Sequence, residues 1–218
     1  MGKKAKVKAL VKIIVMMPGT QIKVIVNNPE IIFFACFFTS IGYVYVAKSA
    51  QGICRISFPY ATDEDFSQSV LKDTFPCSKH VEANIKVQRN NAALKCEIAI
   101  LKQYFQGKQV DFDFPLDLSS GTPFQTMVWE KLREIPYGEN RSYKWVAEQI
   151  GNPRAARAVG MANNKNPLPP VIPCHRVIGS DGTLTGYASE LHIKKYLIEM
   201  EKGISNGDSP QNTLNKRK

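Results

Sequence analysis

Gly151-Asn152-Pro153-Arg154-Ala155-Ala156-Arg157-Ala158-Val159-Gly160 decides how the second half of this 218-residue chain folds. A helix capped by Ser142 runs up to it through Ile150, with Val146 and Ile150 inward, and Gly151 stops that helix. Asn152 and Pro153 are expected to restart a helix at once, as cap and first-turn proline. Two short helices joined this tightly read as a helix-turn-helix, although a plain helical hairpin fits the same residues. The second helix has few long polar side chains. Its small residues suit close approach to nucleic acid with phosphate contacts dominant, or equally close packing in a core.

Working upstream, Thr122-Pro123-Phe124-Gln125 combines an N-cap, a first-position proline and a capping-box glutamine. Phe124, Val128 and Leu132 then share a face, and Pro136 ends the segment. Ser119-Ser120-Gly121 reads as a linker. Before it, Phe33 to Val46 and Gly52 to Phe58 are rich in β-branched and aromatic residues, with Lys48 to Gln51 as the turn of a β-hairpin. Asp63 to Phe75 is expected to be a helix opened by acidic residues. Asn90 to Phe105 is a stronger one, with Leu94, Ile98, Leu101 and Phe105 on one face and Gly107 ending it. Val110 to Phe114 alternates as a strand would, and Gln21 to Val26 suggests a short strand. The chain up to Pro115 thus reads as a small α/β unit.

Downstream lies Pro169-Pro170-Val171-Ile172-Pro173-Cys174-His175-Arg176-Val177. The prolines favour extended geometry and present Cys174 on a stiff segment. A thiol reacts as thiolate, and a basic neighbour raises the thiolate fraction. His175 is adjacent, but neighbouring side chains in extended backbone point apart, so only a bridging water would link them. From these residues alone, a buried structural cysteine and a nucleophile both remain open.

Composition bounds the partners. Lys and Arg total 29 against 19 Asp and Glu, a formal charge of +10, and 44% of residues are apolar. The first thirty residues hold six lysines and one glutamate, whereas 139 to 178 hold six basic residues and two acidic. A polyanionic partner is favoured, though solubility alone also accounts for such charge. Five cysteines, without a Cys-x-x-Cys pair, point to a reducing compartment rather than a disulfide scaffold. Cys77 and His80 lack a second pair that would complete a zinc site. The apolar runs Ile31 to Phe38 and Gly42 to Val46 are interrupted and short of the ~20 residues a membrane helix needs. The expectation is a cytoplasmic protein with no membrane association.

Pro173-Cys174-His175-Arg176-Val177 resembles the active-site signature of the O6-alkylguanine-DNA alkyltransferases, also called methylated-DNA–protein-cysteine methyltransferases. Gly151 to Gly160 resembles that family's recognition helix, and Asn166-Pro167 its hinge. Gly186-Tyr187-Ala188 and the last helix, ending Glu199-Met200-Glu201, also fit. The likeness is close over 119 to 202 and holds only in outline before that.

The resemblance implies a ribonuclease-H-like α/β domain at 31–118 and a helix-turn-helix, winged-helix-like alkyltransferase domain at 119–204. These would lie between a basic extension at 1–30 and a polar tail at 205–218. It implies a monomer that binds double-stranded DNA from the minor groove and flips out O6-alkylguanine. Cys174 would then take the alkyl group irreversibly, with neither cofactor nor metal. Glu201 would orient His175, His175 would deprotonate Cys174 through a water, and Asn166 would brace the turn. Tyr143 would crowd the phosphate and hydrogen-bond the guanine, and Arg157 would fill the vacated space. Arg154, Ala156 and Gly160 would contact DNA, and Val177, Tyr187, Ala188 and Pro169 would line the guanine pocket.

The chain departs from the family pattern in two places. Ser189-Glu190 stands where the family has Gly-Gly, which bears on bulky alkyl groups. Asn163 stands where some relatives carry an apolar residue. Other function classes are a lesion sensor, which Cys174 opposes, a regulatory DNA-binding protein, and a thiol hydrolase.

Overall fold

The computed structural model describes residues 11–12, 25–26, 30–58, 62–74, 85–184 and 191–203. Two short strands, β1 (Val11–Lys12) and β2 (Ile25–Val26), pair antiparallel. A four-stranded sheet follows, of β3 (Glu30–Thr39), β4 (Gly42–Lys48), β5 (Ile53–Ser57) and β6 (Ile85–Arg89) in the order β5-β4-β3-β6. β3 pairs antiparallel with β4 and β4 with β5, whereas β6 runs parallel to β3.

Alternation along β3 gives the sheet two apolar faces. Ile32 and Phe34, with Tyr45 and Ala47 of β4, pack on α1 (Asp63–Thr74) through Phe66 and Val70. Full burial of a side chain such as Phe66 contributes roughly 1.5–3 kcal/mol. Ala35, Phe37, Val44 and Val46 face the other way, toward Leu101 and Phe105 of α2 (Lys95–Phe105).

The second half is helical: α3 (Pro123–Arg133), α4 (Tyr143–Gln149), α5 (Ala156–Asn164) and α6 (Leu191–Glu201). Two short strands, β7 (Arg141–Ser142) and β8 (Val177–Ile178), pair in parallel and tie the start of α4 to the segment after Cys174. Both bonds of the Thr122–Gln125 capping box form, and Ser142 Oγ accepts from the Trp145 amide at 3.0 Å. Gly151 takes a φ of +73° and turns the chain between α4 and α5. Val159 and Ala162 of α5 are buried, and Trp129 Nε1 of α3 donates to the Ala162 carbonyl at 2.9 Å.

The halves share one core, which runs from Ala35 and Phe37 through Leu101 and Tyr104 to Val128, Val159, Cys174 and Leu197. A backbone bond crosses the seam, from Ile56 N to Pro167 O at 2.8 Å. Strand β5 therefore holds the turn that begins at Asn166 and leads to Cys174. Among the described residues no helix is long and apolar enough to cross a membrane.

Five expectations are corrected. The Phe33 to Val46 stretch is two strands, because Thr39 Oγ1 organises a tight turn at Ser40–Ile41 and Gly42 takes φ +99°. Helix α2 starts at Lys95, since Asn90 Oδ1 accepts from Ala93 and holds residues 91–94 as turns. Val110 to Phe114 is irregular, and the fourth strand is β6, whose sequence Ile-Lys-Val-Gln-Arg carries little apolar signal. Asn152-Pro153 forms a turn closed by Ala155 N on Asn152 O at 2.9 Å, so α5 starts three residues later than a proline cap implies. Cys174–Arg176 is one 3-10 turn, with Arg176 N on Pro173 O at 3.0 Å, rather than extended chain. Phe75, Cys77, His80 and the 205–218 tail lie outside the described residues, as does most of the 1–30 extension.

Candidate active site

The segment ahead of Cys174 is a chain of braces. Asn166 Nδ2 donates to Ile172 O at 2.7 Å, and Asn166 Oδ1 accepts from Leu168 N at 3.0 Å. The intervening Pro169–Pro170 peptide is cis and both prolines are buried. Cys174 N bonds Ile172 O at 2.8 Å, and Asn163 Nδ2 donates to Cys174 O at 3.3 Å. Asn163 is thus a buried support of the cysteine backbone. The thiol itself is buried and in no disulfide.

Beneath the turn lies Glu201, at the end of α6. Its Oε1 accepts from Tyr104 OH at 2.6 Å, His175 Nε2 at 2.8 Å and Arg176 Nη2 at 2.9 Å. Its Oε2 accepts from Arg176 Nε at 2.8 Å and Gly138 N at 3.1 Å. Burial alone would raise the Glu201 pKa, but the hydrogen bonds from His175 and Arg176 and the Arg176 charge outweigh it and hold the acid well below the usual carboxylate range. Arg176 is held further by the Ile135 carbonyl at 2.5 Å and lies over the Tyr137 ring.

Complete burial pushes the His175 pKa down. Glu201 pulls it up, while Arg176 and Lys194 push it down again. The ring is therefore neutral at pH 7. An ionised Glu201 can only accept, so the single proton of that ring sits on Nε2. Nδ1 then carries a lone pair, and it is buried with no hydrogen-bond partner among the described residues. A neutral imidazole nitrogen in this state can accept a proton.

A second group gathers around Tyr143, at the first turn of α4. Lys194 Nζ donates to the Tyr143 hydroxyl at 3.3 Å and to the Val177 carbonyl at 2.6 Å. Lys194 has no exposed surface, and its pKa is pushed down to about 8 by burial, against an opposing pull from Cys174. The Tyr143 ring lies along α5 beside Gly160, where an added Cβ would stand 3.9 Å from its carbons, an ordinary van der Waals contact. Val177 is buried beside the reactive turn.

The outer face of the helix-turn-helix differs in kind. Arg154, Arg157, Met161 and Lys165 are all exposed, and Ala156 and Gly160 are half-buried between them and the core. The structure brings together Cys174, His175, Glu201, Asn166, Tyr143, Gly160 and Val177, with Pro169 in the same braced turn. Arg154 and Arg157 stand apart on the surface. Tyr187, Ala188, Ser189 and Glu190 lie outside the described residues. Sequence reading missed Tyr104, Gly138, Arg176 and Lys194 as members of this cluster. Arg176 sat in the quoted motif, whereas Tyr104, inside an apolar helix face, gave no separate signal.

A helix-turn-helix joined to a braced turn that carries a buried cysteine and a buried histidine defines the class: a nucleic-acid-binding fold built around a buried thiol. The family model for the 6-O-methylguanine DNA methyltransferase DNA-binding domain matches residues 123–203, and that for its ribonuclease-like domain matches 32–118. A methylated-DNA–protein-cysteine methyltransferase of Methanosarcina acetivorans is 40% identical over 169 residues, 78% of this chain and 97% of the relative. The Methanosarcina barkeri protein of the same name is 60% identical over 102 residues, 47% of this chain and 64% of the relative. Among solved structures, Mycobacterium tuberculosis O6-methylguanine methyltransferase superposes with a TM-score of 0.65 at 36% identity, covering 84% of this chain and 98% of that one. Mycobacterium tuberculosis OGT in complex with DNA gives 0.65 at 35% identity, covering 80% and 96%. The chain belongs to the 6-O-methylguanine DNA methyltransferase family, with a ribonuclease-like α/β half followed by a helical DNA-binding half.

Proposed function

We infer that the protein repairs DNA by direct reversal, moving the alkyl group of O6-alkylguanine onto its own Cys174. The observation that carries this reading is the neutral His175, with Nε2–H held by Glu201 and Nδ1 without a hydrogen-bond partner among the described residues, beside a buried cysteine. Displacement at saturated carbon needs a thiolate, a proton for the departing guanine and alignment of the two.

His175 Nδ1 takes the thiol proton through a water, and the sulfur attacks the alkyl carbon. The C–O6 bond breaks, its electrons pass into the guanine ring, and Tyr143 hydrogen-bonds the ring nitrogen where charge collects. Lys194, bonded to the Tyr143 oxygen, assists release of the phenol proton. The guanine nitrogen takes the Tyr143 proton, His175 gives the thiol proton to solvent, and solvent restores the phenol, so charge balances. The product is a thioether with no good leaving group, so each molecule acts once. No step calls on a cofactor.

The proposed DNA face is α5, entering the minor groove of duplex DNA. Arg154 and Arg157 meet the backbone and the space left by the flipped nucleotide, and Ala156 and Gly160 allow close approach. Flipping costs a few kcal/mol, less for a weakly paired lesion. The pocket is assigned to Val177, Pro169, Tyr187 and Ala188, and Asn166 to the brace. The proposed domain division is 31–118 and 119–204, in a cytoplasmic monomer.

Incubation with a duplex carrying O6-methylguanine, followed by intact mass and peptide mapping, tests this. The expected result is a gain of ~14 Da on Cys174, once per chain. Lesion binding without any adduct would sink the enzyme reading in favour of a sensor.

A further inference from the structure

Tyr104 reaches the catalytic carboxylate from the opposite half of the molecule. It lies on α2, within the stretch matched by the ribonuclease-like domain, and is 1% exposed. Its hydroxyl donates to Glu201 Oε1 at 2.6 Å and stands 3.3 Å from His175 Nε2. Its ring is fixed by edge or tilted contacts with Phe105, Phe112 and Tyr137, at centroid distances of 5.4, 5.6 and 6.3 Å.

We propose that Tyr104 is a positioning residue of the alkyl transfer, through which the ribonuclease-like half holds the Glu201–His175 pair in its proton-accepting form. The proposal rests on the reading of Cys174 as alkyl acceptor, and it adds a residue outside the helix-turn-helix half to that chemistry.

Proton accounting carries it. A phenol has one O–H, and here it is committed to Glu201 Oε1. Toward His175 Nε2 the phenolic oxygen can then only accept. The carboxylate can also only accept. Both neighbours of Nε2 therefore require Nε2–H, and the lone pair of the neutral ring is left on Nδ1. The hydroxyl acts on charge as well as direction. Oε1 is shared between Tyr104, His175 and Arg176, so each donor draws off charge that would otherwise hold the proton on the imidazole. Without the hydroxyl, Glu201 pulls harder on His175, and imidazolium persists to higher pH. Among the described residues, the charged groups facing His175 are Glu201 and Lys194 of α6 and Arg176 of its own turn. Tyr104 is the polar group that α2 adds. The aromatic contacts keep the hydroxyl from following Glu201 if the carboxylate shifts.

Tyr104→Phe in the full chain removes the hydroxyl and keeps the ring. The pH dependence of Cys174 alkylation by iodoacetamide, read by peptide mass mapping, reports on the base without any DNA. The acid limb of that profile is expected to move up by about half to one pH unit. Below its midpoint the variant is then about three- to tenfold slower, and the two proteins converge by pH 8. Methyl transfer from an O6-methylguanine duplex falls in the same proportion at acid pH, with duplex affinity unchanged. A hydroxyl with a structural role alone lowers the melting temperature and leaves the acid limb where it was. That result, or identical profiles, overturns the proposal. If the limb moves but neither protein takes a methyl group from DNA, the positioning role stands and the alkyl-acceptor reading fails.

Discussion

Glu201 and Arg157 both carry formal charge within the matched DNA-binding domain, but their surroundings are opposite. Glu201 is buried and receives five hydrogen bonds, from Tyr104, His175, Arg176 (twice) and Gly138. Arg157 is exposed on α5. A buried charge is tolerable only when its partners are fixed, so the Glu201 cluster has one arrangement. An exposed arginine on a long side chain adapts at little cost, which suits the duplex contact proposed for it. On the proposed function, the chemistry is preorganised in the buried cluster and the recognition surface is left adaptable.

That contrast can be broken by substitution. Cys174→Ala should abolish alkyl transfer with duplex affinity largely intact, measured by adduct mass and by a binding titration. Glu201→Gln should slow transfer at least about a hundredfold, because the imidazole loses its orienter. It should also cost about 3–5 kcal/mol in urea unfolding, because Arg176 is left buried without its partner charge. Arg157→Ala should cut transfer from duplex DNA by roughly ten- to a hundredfold, with a smaller loss on single strands, where little flipping is needed. It should leave unfolding free energy within about 0.5 kcal/mol, as surface changes do. An equal effect on both substrates would remove its assigned role.

Titration separates the regions further. Glu201 has a lowered pKa, so its stabilisation is present above the unfolded value of about 4.3 and is lost as pH falls toward the folded value. His175 is also lowered, so the folded state resists its protonation and stability declines below about pH 6.5. Lys194 works at the other end. Its pKa of about 8 lies below the unfolded value, so the folded protein sheds that proton first and stability rises between pH 8 and roughly 10.4. Lys194→Met should flatten that alkaline rise, by about 3 kcal/mol at most, in unfolding curves taken across the range. It should also slow transfer, since Tyr143 loses its bonded cation.

How much of this was legible depended on distance along the chain. The capping box at Thr122, the Ser142 cap and the Gly151 turn are local chemistry, and each forms as its residues dictate. Cys174, His175 and Glu201 were named through a motif and the end of the last helix. The start of α5 was not legible, because Asn152-Pro153 closes a turn as readily as it caps a helix. Strand β6 was missed because its two apolar residues draw their meaning from pairing with β3. Tyr104 was hidden for a related reason. It looks like one more member of the Leu101–Phe105 face until folding brings Glu201, 97 residues away, to its hydroxyl.

The most direct measurement of the central claim is the protonation state of His175, read by nitrogen NMR of the labelled imidazole. The expected spectrum at pH 7 is a neutral ring protonated at Nε2, which takes a second proton only below pH 6.5. A charged imidazolium at pH 7, or a neutral ring protonated at Nδ1, would contradict the account, because neither form can take the proton from Cys174.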